Sequence, residues 1–165
     1  MLEEYRQKRN FSKTKEPSVK KEKVKKNKLS FVIQHHLSRK EHWDFRLEVG
    51  GVMPSWAITK EPNGEDKRLA VKTEDHPLEY AKFHGKIPKG QYGAGTVKIW
   101  DKGKYENARD YMSMEDSIKE GKVEVELKGK KLKGRYALVK MKPNERYPKE
   151  NNWLFFRMKK WKNHK

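Results

Sequence analysis

Four residues suited to metal and phosphate chemistry, His36, His42, Asp44 and Arg46, fall within a single stretch of the chain, residues 36–46. From Trp43 to Val49 the sequence alternates: Trp43, Phe45, Leu47 and Val49 are apolar, while His42, Asp44, Arg46 and Glu48 are polar. Side chains on a strand point to opposite faces in turn, so one face can enter a core while the other displays an imidazole, a carboxylate and a guanidinium. Two His and one Asp can hold a divalent metal and leave coordination positions open, as catalysis requires. His42 and Asp44 alone describe a solvated strand face equally well. His36 tips the balance, because it closes the preceding strand on the side that carries Gln34, and only residues 37–41 separate it from His42. His35 has the opposite parity and belongs to the other face or the rim. Arg46 is the next polar residue on the metal-ligand face, about 7 Å from Asp44 along a strand. A guanidinium there can take two phosphate oxygens and stabilise a pentavalent transition state. Its bland role is a salt bridge to Asp44 or Glu48. His76, in Glu74-Asp75-His76-Pro77, can donate to phosphate or protonate a leaving oxygen, and it also reads as a surface histidine. These residues predict a metal-dependent enzyme acting on phosphate esters.

The elements that must position them are mostly strands. Leu29–Leu37 reads as the first, with Phe31 and Ile33 on one face and Gln34 and His36 on the other. His42–Val49 is the second, Gly50-Gly51 a tight hairpin turn, and Val52–Thr59 the return strand. Residues 60–67 form a loop around Pro62, Asn63 and Gly64, and Arg68–Thr73 is a buried strand. Glu74–Lys89, with two prolines, is expected to be irregular. Thr96–Trp100 and Lys104–Asn107 read as a short pair joined by a turn at Asp101-Lys102-Gly103. Ser113–Glu120 is the one helix expected in the body, capped by Ser113 and stopped by Gly121. Lys122–Lys128, Arg135–Lys142 and Trp153–Lys159 are further strands. Gly90-Gln91-Tyr92-Gly93-Ala94-Gly95 suggests a phosphate loop but lacks the Lys-Ser/Thr ending, and turn geometry explains it better. The sum is a mainly β fold: a compact antiparallel β-barrel-like core with a few short helices and a basic N-terminal arm.

The arm spans residues 1–28, is lysine-rich and largely irregular, and has room for a short helix near Leu2–Lys8; residues 29–165 form the catalytic domain. At 165 residues one domain is expected. A formal net charge of +18 calls for a polyanionic partner. Nucleic acid is favoured over membrane, since no apolar run approaches the roughly 20 residues that span a bilayer. The charge also favours a monomer. Cysteine is absent, which excludes disulfides and thiolate ligands. With no apolar leader, an intracellular, cytoplasmic location is the default. Trp43, Phe45 and Trp56 sit at core parity; Trp161, among lysines, reads either as a base-stacking residue or as an anchor for the C-terminus.

Several motifs in fixed order carry a resemblance: Gln34-His35-His36, His42-Trp43-Asp44-Phe45-Arg46-Leu47-Glu48, Ser55-Trp56-Ala57, Lys67-Arg68-Leu69-Ala70-Val71, Glu74-Asp75-His76-Pro77-Leu78-Glu79-Tyr80, Ile87-Pro88 and Tyr92-Gly93-Ala94-Gly95. Together they resemble the 3′-phosphoesterase domain of bacterial and archaeal DNA ligase D. Arg9-Asn10-Phe11 and Thr14–Pro17 resemble that family's N-terminal segment, so nearly the whole chain is covered. The resemblance implies a manganese-dependent enzyme, with zinc or cobalt as alternative metals. Its substrates would be DNA 3′ ends on a primer–template, in prokaryotic-type non-homologous end joining. It would remove a 3′-terminal ribonucleotide by phosphodiester cleavage and then the 3′-phosphate, leaving a 3′-OH. By position His36, His42 and Asp44 match the metal ligands, and Arg46 and His76 the phosphate-binding residues. Gln34, Lys60, Arg68 and Tyr80 match further active-site residues, and Arg9 and Glu16 match residues that support the diesterase step. Asn10 stands where the family usually has Asp, and Gln91 where relatives often have His, so the resemblance implies phosphatase activity more firmly than diesterase activity. No Lys-x-Asp-Gly ligase motif is present, which suggests a stand-alone enzyme working with a separate ligase and polymerase.

Two other readings fit the same residues. Two His and a carboxylate also make the facial triad of a non-haem iron oxygenase, although Arg46 and the positive charge speak against it. A nucleic-acid-binding module without catalysis would bind DNA in the absence of metal and convert nothing.

Overall fold

The computed structural model describes residues 2–11, 13–14, 16–17 and 29–159. The remainder of the basic arm and Trp161 lie outside the described residues. Alternating apolar residues build a sheet that closes on itself. The strands are β1 (Ser30–Leu37), β2 (His42–Leu47), β3 (Val52–Ile58), β4 (Arg68–Pro77), β5 (Gly85–Ile87), β6 (Gly95–Asn107), β7 (Lys122–Lys128), β8 (Lys133–Lys140) and β9 (Asn152–Arg157). Their order is β1-β2-β3-β4-β9-β8-β7-β6, and β6 pairs back onto β1, which makes an eight-stranded closed antiparallel barrel; β5 adds to one end of β6. The mainly β expectation therefore holds. All eight closed strands contribute to one apolar cluster, among them Phe31, Phe45, Trp56, Ala70, Tyr105, Val125, Tyr136 and Phe155, so this cluster fills the lumen.

Local chemistry explains the connections. Gly50 and Gly51 both adopt positive φ, 57° and 87°, as a two-residue hairpin turn between β2 and β3 requires. Helix α2 (Met114–Glu120) starts at Ser113, whose hydroxyl accepts from the Asp116 amide at 3.1 Å, and it lays Met114 and Ile118 on the lumen cluster. A short N-terminal helix, α1 (Glu3–Gln7), forms where the arm allows one. No helix among the described residues is long and apolar enough to cross a membrane.

Two local expectations fail. Glu74–Lys89 is not irregular throughout: β4 runs on to Pro77, a 3-10 helix covers Leu78–Lys82, and β5 follows. The strand survives because the register slips between Met53 and Ser55, setting two residues, Glu74 and Asp75, opposite the single Pro54, which has no amide to donate. Nor does the chain turn at Asp101-Lys102-Gly103. Residues 95–107 form one strand, because β1 pairs with it along one edge past this tripeptide. The Asp101 side chain is buried and bonds elsewhere, accepting from the amides of Lys102 (2.9 Å), Lys130 (2.8 Å), Lys131 (3.2 Å) and Leu132 (2.8 Å). Gly103 lets the β7–β8 loop approach: a Cβ there would lie 2.1 Å from the Lys128 carbonyl oxygen.

The site-bearing face of β1–β4 is the outer one. It is covered by a second, smaller apolar cluster of Tyr5, Tyr80, Phe83, Ile87 and Val97, with Phe11 packed against it. Described residues of the N-terminal arm thus lie on the outside of the barrel, over the polar face.

Candidate functional site

The hairpin β1–β2 brings the three expected ligands together. Its register pairs His36 with His42 and Gln34 with Asp44 directly across the strands. Such neighbours share a face. His36 Nδ1 lies 3.6 Å and His42 Nε2 3.2 Å from Asp44 Oδ2, and the donor atoms of all three lie within 4.8 Å of one another. Each imidazole uses its other nitrogen on a backbone carbonyl: His36 Nε2 donates to Gly93 O (2.6 Å) and His42 Nδ1 to Lys40 O (2.8 Å). The remaining nitrogen of each ring faces Asp44 and can offer a lone pair to a cation once it gives up its proton. Fixing the tautomer through an outer hydrogen bond is how metal-binding histidines are usually held, so the donor set fits a divalent cation. His35 lies apart, stacked on Trp43 at 4.5 Å and paired with Glu41.

Charge is concentrated here. Burial would raise the Asp44 carboxyl, but Arg46, His36 and His42 overcome it and hold the group far below the usual carboxylate range. Burial would likewise lower His42, yet its hydrogen bond to Asp44 and that group's charge leave it raised. Arg46 is buried and held by three neighbours. Its Nε donates to Gln34 Oε1 (2.6 Å), Nη2 lies 3.3 Å from Asp44 Oδ2, and the guanidinium sits 4.8 Å over the Tyr80 ring. Gln34 in turn donates to the carbonyls of Tyr80 (2.6 Å) and Phe83 (3.0 Å). The orientation of the Gln34 amide is therefore fixed, and it acts from behind Arg46 without lining the cavity.

His76 is buried, not a surface residue. Burial, with Arg46 and Arg9 nearby, pushes its pKa well below the ordinary value, so the ring is neutral. A proton on Nδ1 satisfies the Glu74 carbonyl at 3.0 Å and leaves Nε2 to accept from Arg9 Nη2 at 3.3 Å. Arg46 Nη1 then faces Nδ1 at 3.3 Å without bonding to it. Arg9 reaches this position from the N-terminal segment, held by Glu16 (2.9 Å) and Glu74 (3.2 Å). The Tyr80 hydroxyl donates to Glu16 at 2.8 Å, and burial raises its pKa well above the ordinary value.

A cavity of about 660 Å³ opens on this cluster, lined by Arg9, Glu16, His36, His42, Asp44, Arg46, His76 and Tyr80, with Arg39, Lys40 and Tyr92 among the other lining residues. Lys60 and Arg68 do not line it. Lys60 is exposed after β3, and Arg68 donates to the Glu61 carbonyl (3.0 Å) and lies 3.8 Å from Asp66. Sequence reasoning passed over Glu74, Lys8, Tyr92 and Gly93. Glu74 accepts from both Lys8 (3.0 Å) and Arg9, and Lys8 reaches the Tyr92 hydroxyl (3.3 Å). Glu74 sits in the bulge of β4, where the alternation that marks a strand is broken. The bulge is what lets Thr73, Glu74 and His76 all reach the cavity.

Comparison with known proteins adds a family match. A model of the DNA ligase D 3′-phosphoesterase domain matches residues 34–140. The chain is 45% identical over 169 residues to a multifunctional non-homologous end joining protein LigD of Mycolicibacterium smegmatis, covering 98% of this chain and 21% of the relative. It is 43% identical to the multifunctional non-homologous end joining DNA repair protein LigD of Mycobacterium tuberculosis H37Rv (99% and 20% covered) and 40% identical to the LigD of Pseudomonas aeruginosa (96% and 18%). It thus spans about a fifth of the length of these relatives.

Proposed function

The chain belongs to the DNA ligase D 3′-phosphoesterase family, and from that premise we propose that it is a metal-dependent enzyme that heals DNA 3′ ends to 3′-OH for end joining. It removes a terminal ribonucleotide by phosphodiester cleavage and then the remaining 3′-phosphate. The observation that carries this reading is the convergence of His36 Nδ1, His42 Nε2 and Asp44 Oδ2 beside the Arg46 guanidinium. These three would hold the cation, with manganese preferred over zinc or cobalt. When bound there, a divalent ion supplies Lewis-acid polarisation of a phosphate oxygen and a lowered pKa for a coordinated water.

The chain's own groups do the rest. Arg46, locked by Gln34 and by the Tyr80 ring, presents a fixed guanidinium where charge grows on the equatorial oxygens of a phosphoryl group. Being preorganised, it needs no rearrangement as the reaction proceeds. His76 is neutral, with its Nδ1–H donated to the Glu74 carbonyl, which suits it to spacing Arg9 and Arg46 and not to donating a proton. Arg9, steadied by Glu16 and Glu74, adds a second guanidinium at the cavity wall, in line with a role in the diesterase step. Asn10, the next residue in the chain, is exposed. DNA ends are the substrate, and a ligase and polymerase the functional partners.

The test is a 5′-labelled primer–template ending in one ribonucleotide or in a 3′-phosphate, incubated with and without Mn²⁺. Shortening by one nucleotide, then conversion to a 3′-OH end, is expected only with metal, and His42→Ala is expected to abolish both. Parental turnover by His42→Ala would remove the metal assignment. Oxygen uptake with iron and an oxoacid would favour the oxygenase reading instead.

A further inference from the structure

The outer face of the barrel carries a second feature, which the chemistry above does not use. Sheet register places Lys104 directly opposite Lys128, and Lys128 directly opposite Lys133, so three lysines form a row across β6, β7 and β8. Like charges directly opposed across strands are destabilising, and the fold itself gives no reason to keep them. Lys128 is met by Glu106 at 3.4 Å, and Lys104 donates to the Ser30 hydroxyl at 3.1 Å, but all three remain exposed. Lys102 joins them, paired with Val32 of β1, which itself lies opposite Arg46. Lys102 and Arg46 therefore share one face of the sheet. Just beyond, Asp101 pins the β7–β8 loop through three of its amides, which holds Lys130 and Lys131 in place.

We propose that Lys102, Lys104, Lys128 and Lys133 form a second nucleic-acid contact, gripping the phosphate backbone of the duplex behind the 3′ end that occupies the site. Ser30, beside the row, is six residues from His36 along β1, or about 20 Å. That distance corresponds to roughly six base pairs of duplex. Backbone contact to duplex is favoured over single-strand binding, which relies on exposed aromatic platforms. The exposed large aromatics among the described residues are Tyr92 and Tyr111, and neither belongs to the row. On β6, Tyr105 is buried in the lumen and Trp100 has Lys131 over its ring at 4.3 Å.

The inference rests on the reading of DNA 3′ ends as substrate, but its test reads binding and not turnover. Lys102, Lys104, Lys128 and Lys133 are changed to Gln together in the full chain. Affinity is measured by fluorescence anisotropy over a salt series, on 3′-OH hairpin DNAs with stems of about four or about fourteen base pairs. On the long stem, affinity at low salt should fall roughly ten-fold or more, with the slope of log affinity against log salt shallower by about 3 to 4. The short stem should lose much less, since of the four only Lys102 lies in register with Arg46 across β1, and an unchanged or higher Tm should confirm folding. Parental affinity and slope on the long stem would overturn the proposal and leave the row to an acidic protein or to no partner; equal losses on both stems would also overturn it. Failure of the enzymatic reading would appear separately, as absence of 3′-phosphate removal by the unaltered protein.

Discussion

In the proposed reaction Arg46 carries the phosphoryl charge, and its position is set in part by Gln34, which does not line the cavity. Gln34 is fully buried, and its amide has a partner for each end: two carbonyls for the NH₂ and the Arg46 Nε for the oxygen. Gln34→Leu would leave those carbonyls without donors, at a cost of about 1–3 kcal/mol, and would free the guanidinium to rotate. A lower Tm together with a kcat reduced about ten-fold on a 3′-phosphate primer is expected; parental kcat would show that Arg46 holds its place unaided. Arg46→Lys keeps the charge but loses the planar fork, and should lower kcat by about 10²–10³. The ligand set and Arg46 were legible in the sequence because strict alternation over Trp43–Val49 and a short link to His36 are local signals. Glu74, Lys8 and Tyr92 were not, since Lys8 meets its partners only when the N-terminal segment folds back across the barrel.

Among the elements, β6 shows how tertiary contacts override turn chemistry. Asp101-Lys102-Gly103 has the composition of a turn, yet the carboxylate finds four amides and the glycine admits the facing loop. Asp101→Ala would orphan the three loop amides at Lys130, Lys131 and Leu132. A loss of about 1–3 kcal/mol in denaturant unfolding is expected, with faster hydrogen exchange confined to residues 129–132. Stability equal to the parent would mean the loop is held by its strands alone. By contrast α2 followed its sequence closely, because a Ser cap and a stop glycine act within one turn of helix. The strands β2 and β7 were recognisable for a similar reason: each alternates polar and apolar residues over its own length. β4 was cut short because its bulge opposite Pro54 breaks that alternation, and only pairing with β3 reveals that the strand continues.

At the scale of the whole molecule, closure of the sheet and docking of the N-terminal segment are what make a site out of one strand face. The barrel interior is filled by side chains, so the candidate site lies outside it, walled on one side by Arg9 and Glu16. Glu74 ties that wall to the barrel. Burial raises its carboxyl, but the backbone hydrogen bond, Lys8 and Arg9 prevail and lower it from 4.5. A carboxyl depressed in the folded state adds stability above its unfolded value, and that stability is lost as pH falls through the folded value. Thermal melts from about pH 6 down to about pH 3 should therefore show the parent losing Tm below 4.5 more steeply than Glu74→Gln. Parallel curves would remove Glu74 from the acid response. The His36–His42 pairing at the tip of the first hairpin has a consequence of its own. Slipping that hairpin by a single residue would turn His36 inward and set His35 in its stead, so a mispaired molecule is silent, not sluggish. If activity is lost through that slip, it falls with the share of mispaired copies and not with the rate of each correctly paired one.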